Sequence, residues 1–337
     1  MIGSIAEAEP GDIMGDIFLS SVLPRLRMDQ WIWSALSTVD SGEVTTFSAI
    51  ASALGEPRAA RAVAELISKG SVNGPVHRVV YSDGRVPERW AAHLGSEVAL
   101  SCKGGISRVD PSVKPIGFTV EDPPFTTLSR IQTVMVGIDP GPRRIGPGTV
   151  GTDISTDMNR SAAALCLMDK NGDVVGATTI QGDLPLPYVP GHLFYREAPL
   201  LIPLLRRARS RGLLDDEPLV LIDGNGKLHP RRSGVACQIG LMCPSPTCGV
   251  AKKLLIGSIG EWSRGSVQDA PIRIGMDVMG MAMRNGTMGP FYVSEGRGAA
   301  LATCCDRVRA CLRGRYPEPL AVAHRLANSA RRELQNP

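Results

Sequence analysis

The sequence predicts two domains, a small and mostly helical one followed by a larger mixed α/β domain. A chain of 337 residues accommodates about two domains at roughly 150 residues each. Short helical patterns punctuated by glycines fill residues 25 to 90 and end at a stretch rich in Gly and Pro. After residue 131, strand-like apolar runs first form a meander and then alternate with helices, which is typical of a mixed α/β fold.

The composition is that of a globular protein, with 43% hydrophobic and 21% charged residues. No stretch reaches the roughly 18 uncharged apolar residues of a membrane span, so no membrane partner is predicted. The N-terminus lacks a basic segment followed by an apolar core, which predicts no secretory signal and a cytoplasmic location. The net charge of +4 permits a polyanionic partner without indicating one. The eight cysteines form no CxxC pair, so we expect reduced, buried thiols rather than zinc ligands or disulfides.

The smaller domain is predicted to contain three short helices and a hairpin. The helices are expected at residues 29–36, 47–54 and 58–69. Because a tight turn at Gly55 joins the last two, they are typical of a helix-turn-helix. Residues 79–86, with turn residues at 82–84, predict a hairpin that would form a wing.

The larger domain is predicted to follow a linker rich in Gly, Pro, Ser and Thr. We expect domains over residues 1–102 and 132–337, with the linker over 103–131. Strands are expected at 133–138, 162–168, 174–180, 219–222, 280–283 and 291–294, and helices at 198–210, 298–313 and 320–333. Asn171-Gly172 joins two of these strands and is a typical hairpin turn.

Three carboxylates stand at positions where a sheet edge would expose them. Asp139 and Asp223 each end an apolar run, and Glu197 lies near the start of a helix. Carboxylate oxygens are the ligands that Mg²⁺ and Mn²⁺ prefer, and paired ions can assist an in-line phosphoryl displacement. A single aspartate at a strand end is more often a loop cap. Three carboxylates followed by a basic, glycine-rich loop favour a metal site.

That loop covers residues 223–232 and reads DGNGKLHPRR. Its glycines allow a base or a backbone to approach closely. His229, Arg231 and Arg232 can contact phosphate oxygens. Lys252 follows the next short apolar segment and adds a second cation to this part of the chain.

These motifs together resemble endonuclease V, a nuclease for deaminated bases with an RNase H-like fold. The matching segments follow the family order at 187–191, 195–197, 223–232, 249–253, 292–294, 317–319 and 323–324. The resemblance implies an α/β fold, an RNase H-like mixed-sheet nuclease domain preceded by a small winged helix-turn-helix domain. One departure is Gly296-Arg297, where the family more often has Gly-His.

The resemblance implies hydrolysis of the second phosphodiester bond on the 3′ side of deaminated adenine (hypoxanthine, as inosine). The cofactor would be Mg²⁺, with Mn²⁺ as an alternative, and the partner DNA containing deaminated bases, with RNA as an alternative. No protein partner is predicted. The implied catalytic residues are Asp139, Asp153, Glu197, Asp223, Lys252 and His324. The carboxylates among them would bind metal, and the lysine and histidine would stabilise charge at the phosphate.

The first metal-binding aspartate has two candidates. Asp139 follows the continuous apolar run at 133–138, as a residue after a buried central strand would. Asp153 has the better match in the residues after it, and its spacing to the strand at 162–168 needs no insertion. The apolar run slightly favours Asp139, and both stay candidates.

The resemblance also implies residues that hold the damaged strand. Tyr188 would be a wedge between the strands. The residues near the extruded base would be Gly191, Leu193, Gly224, His229, Gly234 and Val235. Each alone has an ordinary structural explanation, such as a half-buried loop tyrosine, and only their joint order favours the functional interpretation.

Residues 24–86 resemble the DNA-binding domain of O6-alkylguanine-DNA alkyltransferases, which inserts a recognition helix into the minor groove. By this match, Arg61 would fill the gap left by a flipped nucleotide. The predicted DNA-binding residues are Phe47, Arg58, Arg61, His77 and Arg78, together with Arg231 and Arg232 of the larger domain. Val76 occupies the position of the family's nucleophilic cysteine, so alkyl transfer is not expected.

Two non-enzymatic interpretations stay open at this point. The whole chain could be a lesion-binding protein that does not cleave, although the complete set of catalytic residue types argues against that. The first domain could also be a relic that is kept for stability rather than for DNA binding.

Overall fold

The computed structural model describes residues 10–157 and 160–333, so the outer ends of both predicted domains lie outside the described residues. The helices are α1 Pro10–Ile17, α2 Met28–Leu36, α3 Phe47–Ala53, α4 Ala60–Ser68, α5 Ala91–Gly95, α6 Pro124–Val136, α7 Leu193–Ser210, α8 Val235–Met242, α9 Leu301–Ala310 and α10 Glu318–Glu333. The strands are β1 Thr45–Thr46, β2 Val79–Val80, β3 Leu100–Lys103, β4 Ile106–Val109, β5 Thr149–Asp157, β6 Arg160–Met168, β7 Val174–Gly182, β8 Leu219–Asp223, β9 Thr247–Ala251, β10 Ser258–Ile259, β11 Val267–Ile274, β12 Asp277–Asn285 and β13 Phe291–Glu295.

The chain forms two compact units. The smaller unit contains Leu26–Ile131 and Leu186–Pro190. Among the described residues, the larger unit contains the rest of the chain, which includes residues 10–25 and the chain from Gly191 onward. Residues 10–25 therefore group with the larger unit, although the sequence assigned them to the first domain. The predicted linker over 103–131 is also not a plain connection, since it carries β4 and most of α6.

Helix α6 replaces the strand that was expected at residues 133–138. Phe125, Leu128, Gln132 and Met135 are buried, and their spacing is that of one helix face. Val134, in the middle of the apolar run, is 70% exposed. A short apolar run fits either a strand or a helix, and the burial period decides for the helix here.

The smaller unit contains the predicted helix-turn-helix. Helix α3 begins where the Thr46 hydroxyl accepts a hydrogen bond from the N–H of Ala49, and Gly55 turns the chain toward α4 with φ of 90°. Residues 79–86 form only part of the expected hairpin. The turn is present, since the N–H of Tyr81 donates to the carbonyl oxygen of Arg85 at 2.9 Å, but strand β2 pairs in parallel with β1. A separate antiparallel hairpin is formed by β3 and β4.

The larger unit is built on a nine-stranded sheet within the described residues, in the order β10-β11-β12-β13-β9-β8-β5-β6-β7. Strands β5, β6 and β7 form an antiparallel meander, and the expected hairpin at Asn171-Gly172 is confirmed. Strand β8 then pairs in parallel with β5, and β9 in parallel with β8. This order is the RNase H-like arrangement.

Helices cover the two faces of the meander. On one face, α10 approaches so closely that a Cβ on Gly151 would lie 2.2 Å from the carbonyl carbon of Pro319. On the other face, a Cβ on Gly182 would lie 2.9 Å from Leu200 of α7. Because alternate residues of a strand point to opposite faces, β5 directs residues 151, 153 and 155 toward α10.

Two exclusions made from the sequence can be compared with the structure. All eight cysteines are free thiols, and most are buried. Within residues 10–157 and 160–333, no helix has both the length and the apolar character that crossing a bilayer requires.

We predict that Gly151→Ala destabilises the larger unit by about 1–3 kcal/mol, because its methyl group overlaps the backbone of α10, which cannot move aside cheaply. Urea unfolding measures the change. Gly314→Ala is the matched control, since a Cβ there meets nothing within 4 Å, and its effect should stay within about 0.5 kcal/mol. Equal stability of the two variants would contradict the close packing of β5 on α10.

Candidate active site

Three carboxylates meet at one edge of the large sheet. The parallel register pairs Thr152 with Ile222, so that Asp153 and Asp223 follow at the same edge. Glu197 extends from α7 toward them. Burial, then a hydrogen bond and the charge of Asp223, raise the pKa of Asp153 to about 9. Burial and the charge of Asp223 raise the pKa of Glu197 to about 8. Asp223 therefore lies close enough to Asp153 and Glu197 for its charge to oppose their ionisation.

Two cationic or proton-bearing groups border the carboxylates. Lys252, two residues beyond the β9 partner of Asp223, donates from Nζ to Asp223 Oδ2 at 2.5 Å. His324 on α10 lies with Nδ1 2.9 Å from Asp153 Oδ2. The Lys252 ammonium and the His324 ring are both about half exposed, so this side of the cluster faces solvent.

Tyr316 is a neighbour of this cluster that the sequence analysis did not identify. Its hydroxyl lies 2.6 Å from the carbonyl oxygen of Val250 and 3.1 Å from Asp223 Oδ1, and the Lys252 ammonium lies 5.2 Å from its ring centroid. Its position directly before the 317–319 motif was the one available signal. A phenol has a single proton, so it bonds one of the two oxygens at a time.

Asp139 is not part of this cluster. The strand that would have placed it at the sheet edge is the end of α6, and Asp139 lies in the exposed loop beyond it. There its carboxylate accepts a hydrogen bond from the N–H of Gly141 at 3.1 Å. Asp153 occupies the position between Asp223 and His324 that the sequence analysis slightly favoured for Asp139.

The donor set fits a divalent cation. Asp153, Glu197 and Asp223 offer hard oxygen ligands on two strands and a helix, which is the chemistry that Mg²⁺ and Mn²⁺ prefer. The raised pKa values of two of these groups show that their charges lack full compensation from the protein. A bound cation would supply that compensation.

A second group of predicted residues meets beside the glycine-rich loop. A Cβ on Gly224 would lie 2.5 Å from Val235 and 3.3 Å from Leu193, so these three residues border one space. Gly234 packs on the same loop, where its N–H donates to the carbonyl oxygen of Gly226. Four separate sequence positions expected near an extruded base are thus adjacent to the carboxylate edge that Asp223 ends.

His229 is buried and linked to Gly191. Its Nδ1 accepts from the N–H of Arg231 at 3.2 Å, so its proton is on Nε2, which donates to the carbonyl oxygen of Gly191 at 3.2 Å. The Arg231 guanidinium also donates to that carbonyl, at 2.6 Å, and to Gln132. Arg231, expected to contact phosphate, is therefore engaged inside the unit.

Two predicted strand-contacting residues are exposed. Tyr188 is 59% exposed, as a wedge needs to be. Arg232 is also exposed and lies 3.4 Å from Asp277, so its pairing is loose. Both side chains can reach a nucleic acid without breaking a buried contact.

In the smaller unit, the residues around Val76 form an internal network. His77 Nε2 lies 3.0 Å from Glu97 Oε1, and Arg78 donates two hydrogen bonds to the same carboxylate and one to the carbonyl oxygen of Val39. Hydrogen bonds from Arg78, opposed by burial and assisted by His77, lower the pKa of Glu97 to about 2. His77 and Arg78 were expected at the DNA, and they are instead committed to Glu97.

His77, His93 and Glu97 have ligand atoms within 4.8 Å of one another. The two imidazole rings are stacked with centroids 3.7 Å apart and planes 6° apart, so their nitrogen lone pairs run parallel rather than converging. Arg78 also occupies both oxygens of the carboxylate. This arrangement is a poor fit for a cation.

The remaining predicted DNA contacts differ in availability. Arg61 is exposed in the first turn of α4. Arg58 is held by Glu56 through two hydrogen bonds of 2.8 and 2.9 Å. Phe47 is buried against Tyr81, with ring centroids 5.4 Å apart. Among these three, Arg61 has the freest side chain.

Comparisons with known proteins assign both parts of the chain to families. The endonuclease V family matches residues 143–325, and the DNA binding domain of 6-O-methylguanine DNA methyltransferase matches residues 27–100. Endonuclease V of Thermofilum pendens is 37% identical over 171 residues, which cover 50% of this chain and 70% of the relative. Endonuclease V of Ignicoccus hospitalis is 35% identical over 188 residues, covering 56% of this chain and 84% of the relative.

Solved structures show the same fold. The crystal structure of endonuclease V from Streptomyces avermitilis is 29% identical, has a TM-score of 0.54, and covers 66% of this chain and 97% of its own. Ciona intestinalis endonuclease V, in complex with a 24mer DNA containing an inosine followed by a ribo-adenosine, is 21% identical with a TM-score of 0.56, covering 64% of this chain and 100% of its own.

The sequence resemblance to both families is thereby confirmed. The larger unit has the carboxylate edge on an RNase H-like sheet, and the family match extends over more than half of the chain. The chain is a member of the endonuclease V family that carries an alkyltransferase-type DNA-binding domain before its nuclease domain.

Proposed function

We propose that the chain is a metal-dependent endonuclease that cleaves DNA at deaminated adenine, at the second phosphodiester bond on the 3′ side. The observation that carries the proposal is the meeting of Asp153, Glu197 and Asp223 at one sheet edge, with Lys252 and His324 beside them. The inosine-containing DNA bound by the Ciona intestinalis relative supports this choice of substrate.

The three carboxylates would hold Mg²⁺ or Mn²⁺. When bound, the ion supplies a Lewis acid for the scissile phosphate and lowers the pKa of attacking water. Lys252 keeps Asp223 in place and presents positive charge where the phosphate charge develops. His324 orients Asp153 through the hydrogen bond at Oδ2.

Base selection would take place beside the glycine-rich loop. Gly224 leaves room between Leu193 and Val235, where any larger residue would overlap them. The carbonyl oxygen of Gly191 accepts hydrogen bonds from His229 and Arg231, which fix the position of the loop before α7. Extruding a base costs a few kcal/mol, least at a damaged or mismatched pair, and Tyr188 is exposed to support the opened strands.

The smaller unit would add DNA affinity without alkyl transfer. Val76 offers no nucleophile, and Arg61 is exposed on the second helix of the helix-turn-helix. Covalent linkage to a second DNA-binding unit raises the affinity of the whole chain for DNA.

The cleavage prediction is tested on a labelled duplex with a single inosine in the presence of Mg²⁺. We expect one product, cut at the second bond on the 3′ side. Asp223→Asn should lower the cleavage rate by more than about 100-fold. Loss of an outer partner of a metal ligand typically lowers activity by about 10- to 100-fold, and loss of a ligand itself should have a larger effect.

Asp139→Asn is the matched control for Asp223→Asn and should cleave at the wild-type rate. Absence of product from the wild-type chain in Mg²⁺ and in Mn²⁺ would contradict the proposed activity. A strong loss in Asp139→Asn, with an active Asp153→Asn, would contradict the assignment of the first metal ligand.

Asp153→Asn should stabilise the metal-free protein. The folded-state pKa of Asp153, about 9, lies above the ordinary aspartate pKa of about 3.9, so the unfolded chain releases the proton first. The stability that protonated Asp153 contributes to the metal-free protein is therefore lost progressively as the pH rises from about 4 to 9. At pH 8 we expect Asp153→Asn to gain on the order of 1 kcal/mol and to lose most of the stabilisation by Mg²⁺. Thermal unfolding with and without Mg²⁺ measures both effects.

Arg61→Ala should weaken DNA binding by roughly fivefold or more, corresponding to about 1 kcal/mol. Fluorescence anisotropy in an Asp223→Asn background measures affinity without cleavage. Lys69→Ala is the control. Lys69 directly follows α4 and forms an ion pair with Glu65 of that helix, so its charge is already partnered within the protein. If both variants bind as tightly as the background protein, the smaller unit does not read DNA through α4.

A further inference from the structure

A continuous row of hydrogen bonds connects β5 with α10 next to the carboxylate cluster. Arg331 Nε donates to Ser155 Oγ at 2.8 Å, and Ser155 Oγ lies 2.7 Å from Asn328 Oδ1. Asn328 Nδ2 lies 3.0 Å from His324 Nε2, and His324 Nδ1 lies 2.9 Å from Asp153 Oδ2. The row exists because alternate residues of β5 meet successive turns of α10 on one face.

The direction of each hydrogen bond follows from one end of the row. A guanidinium can only donate, so Ser155 Oγ accepts from Arg331, and the hydroxyl proton of Ser155 goes to Asn328 Oδ1. The amide of Asn328 therefore presents its NH₂ group to His324 Nε2, which has to accept.

The opposite orientation of the Asn328 amide is unfavourable. It would direct a second donor at Ser155 Oγ and leave the serine proton without an acceptor among the described residues. Ser155 is 7% exposed, so water cannot readily replace that acceptor. Leaving a buried hydroxyl without a partner is unfavourable, which selects the first orientation. The Arg331 end of the row is itself held in place, because Arg331 also donates to Asp157 at 2.9 Å.

We propose that Asn328, backed by Ser155 and Arg331, is a positioning residue that holds His324 in the tautomer protonated on Nδ1. In this state Nδ1–H donates to Asp153, and Nε2 is occupied by Asn328. Both ring nitrogens are engaged, so His324 acts as an outer partner of the metal-binding carboxylate and not as a metal ligand. The role in cleavage rests on the proposed function, whereas the tautomer is a property of the metal-free protein.

The tautomer has a chemical consequence for Asp153. A donor on Oδ2 fixes the rotation of the carboxyl group and leaves its other oxygen directed at the cluster. Partners of this outer type typically change metal affinity or activity by 10- to 100-fold.

The direct test is nitrogen NMR of histidine in the metal-free full chain. Long-range ¹H–¹⁵N correlation at pH 8, where a free imidazole is neutral, distinguishes Nδ1–H from Nε2–H rings. A His324→Gln variant assigns the signal among the five histidines. We expect His324 to be the Nδ1–H tautomer in the wild-type chain and a mixture of tautomers in Asn328→Leu. In Asn328→Asp the carboxylate can only accept, so the proton should move to Nε2.

Ser329→Ala, an exposed change on the same helix, is the matched control and should leave the His324 signal and the cleavage rate unchanged. We expect Asn328→Leu to lower kcat on inosine DNA by about 10-fold with little change in KM. An Nε2–H or doubly protonated His324 in the wild-type chain would overturn the proposal, as would an unchanged tautomer in both Asn328 variants. Absence of cleavage by the wild-type chain would remove the nuclease assignment and leave the tautomer result standing.

Discussion

The crowding of negative charge at the end of two parallel strands is the constraint on which the rest of the nuclease domain depends. The β5–β8 register places Asp153 beside Asp223, and α7 adds Glu197. Burial makes the ionisation of Asp153 and Glu197 unfavourable. Lys252, Tyr316 and His324 supply hydrogen bonds to Asp153 and Asp223 at this edge. Such a site lowers the stability of the metal-free protein, and a bound cation would restore it. Active sites commonly sacrifice stability for function in this way.

Two glycines allow the elements around this sheet edge to pack closely enough to bring the site residues together. Gly151 allows α10 to lie against β5, which carries His324 to Asp153. Gly224, after β8, has no Cβ to overlap Leu193 and Val235, so both side chains can border the space beside this loop. Close backbone packing therefore determines where the carboxylate edge and the residues proposed to bind the base can be.

Much of the site could be predicted from the sequence, because strand ends and family motifs locate Glu197, Asp223, Lys252 and His324. The first aspartate could not be settled in that way. The apolar run at 133–138 has the composition of a buried strand, and only the helical burial period of α6 shows that it is not one. Secondary-structure propensity is a local property of the sequence. The choice between helix and strand here depended on which side chains are buried by the rest of the fold.

Contacts between distant residues were the second limit. Glu97 lies about twenty positions after His77 and Arg78, so their spacing gave no indication that these basic groups are neutralised within the unit. Tyr316 and Asn328 are likewise ordinary polar residues in the sequence. Their roles become visible only in the fold, where Tyr316 contacts Asp223 of β8 and Asn328 contacts Ser155 of β5.

Val76, in place of a nucleophilic cysteine, bears on whether one protein molecule can act on more than one lesion. A cysteine that accepts an alkyl group becomes a thioether, and the protein that carries it is spent after a single lesion. A valine forms no such bond, so the proposed association of this unit with DNA would stay reversible. Under the proposed function, the attached nuclease would then be free to leave its product and engage another site.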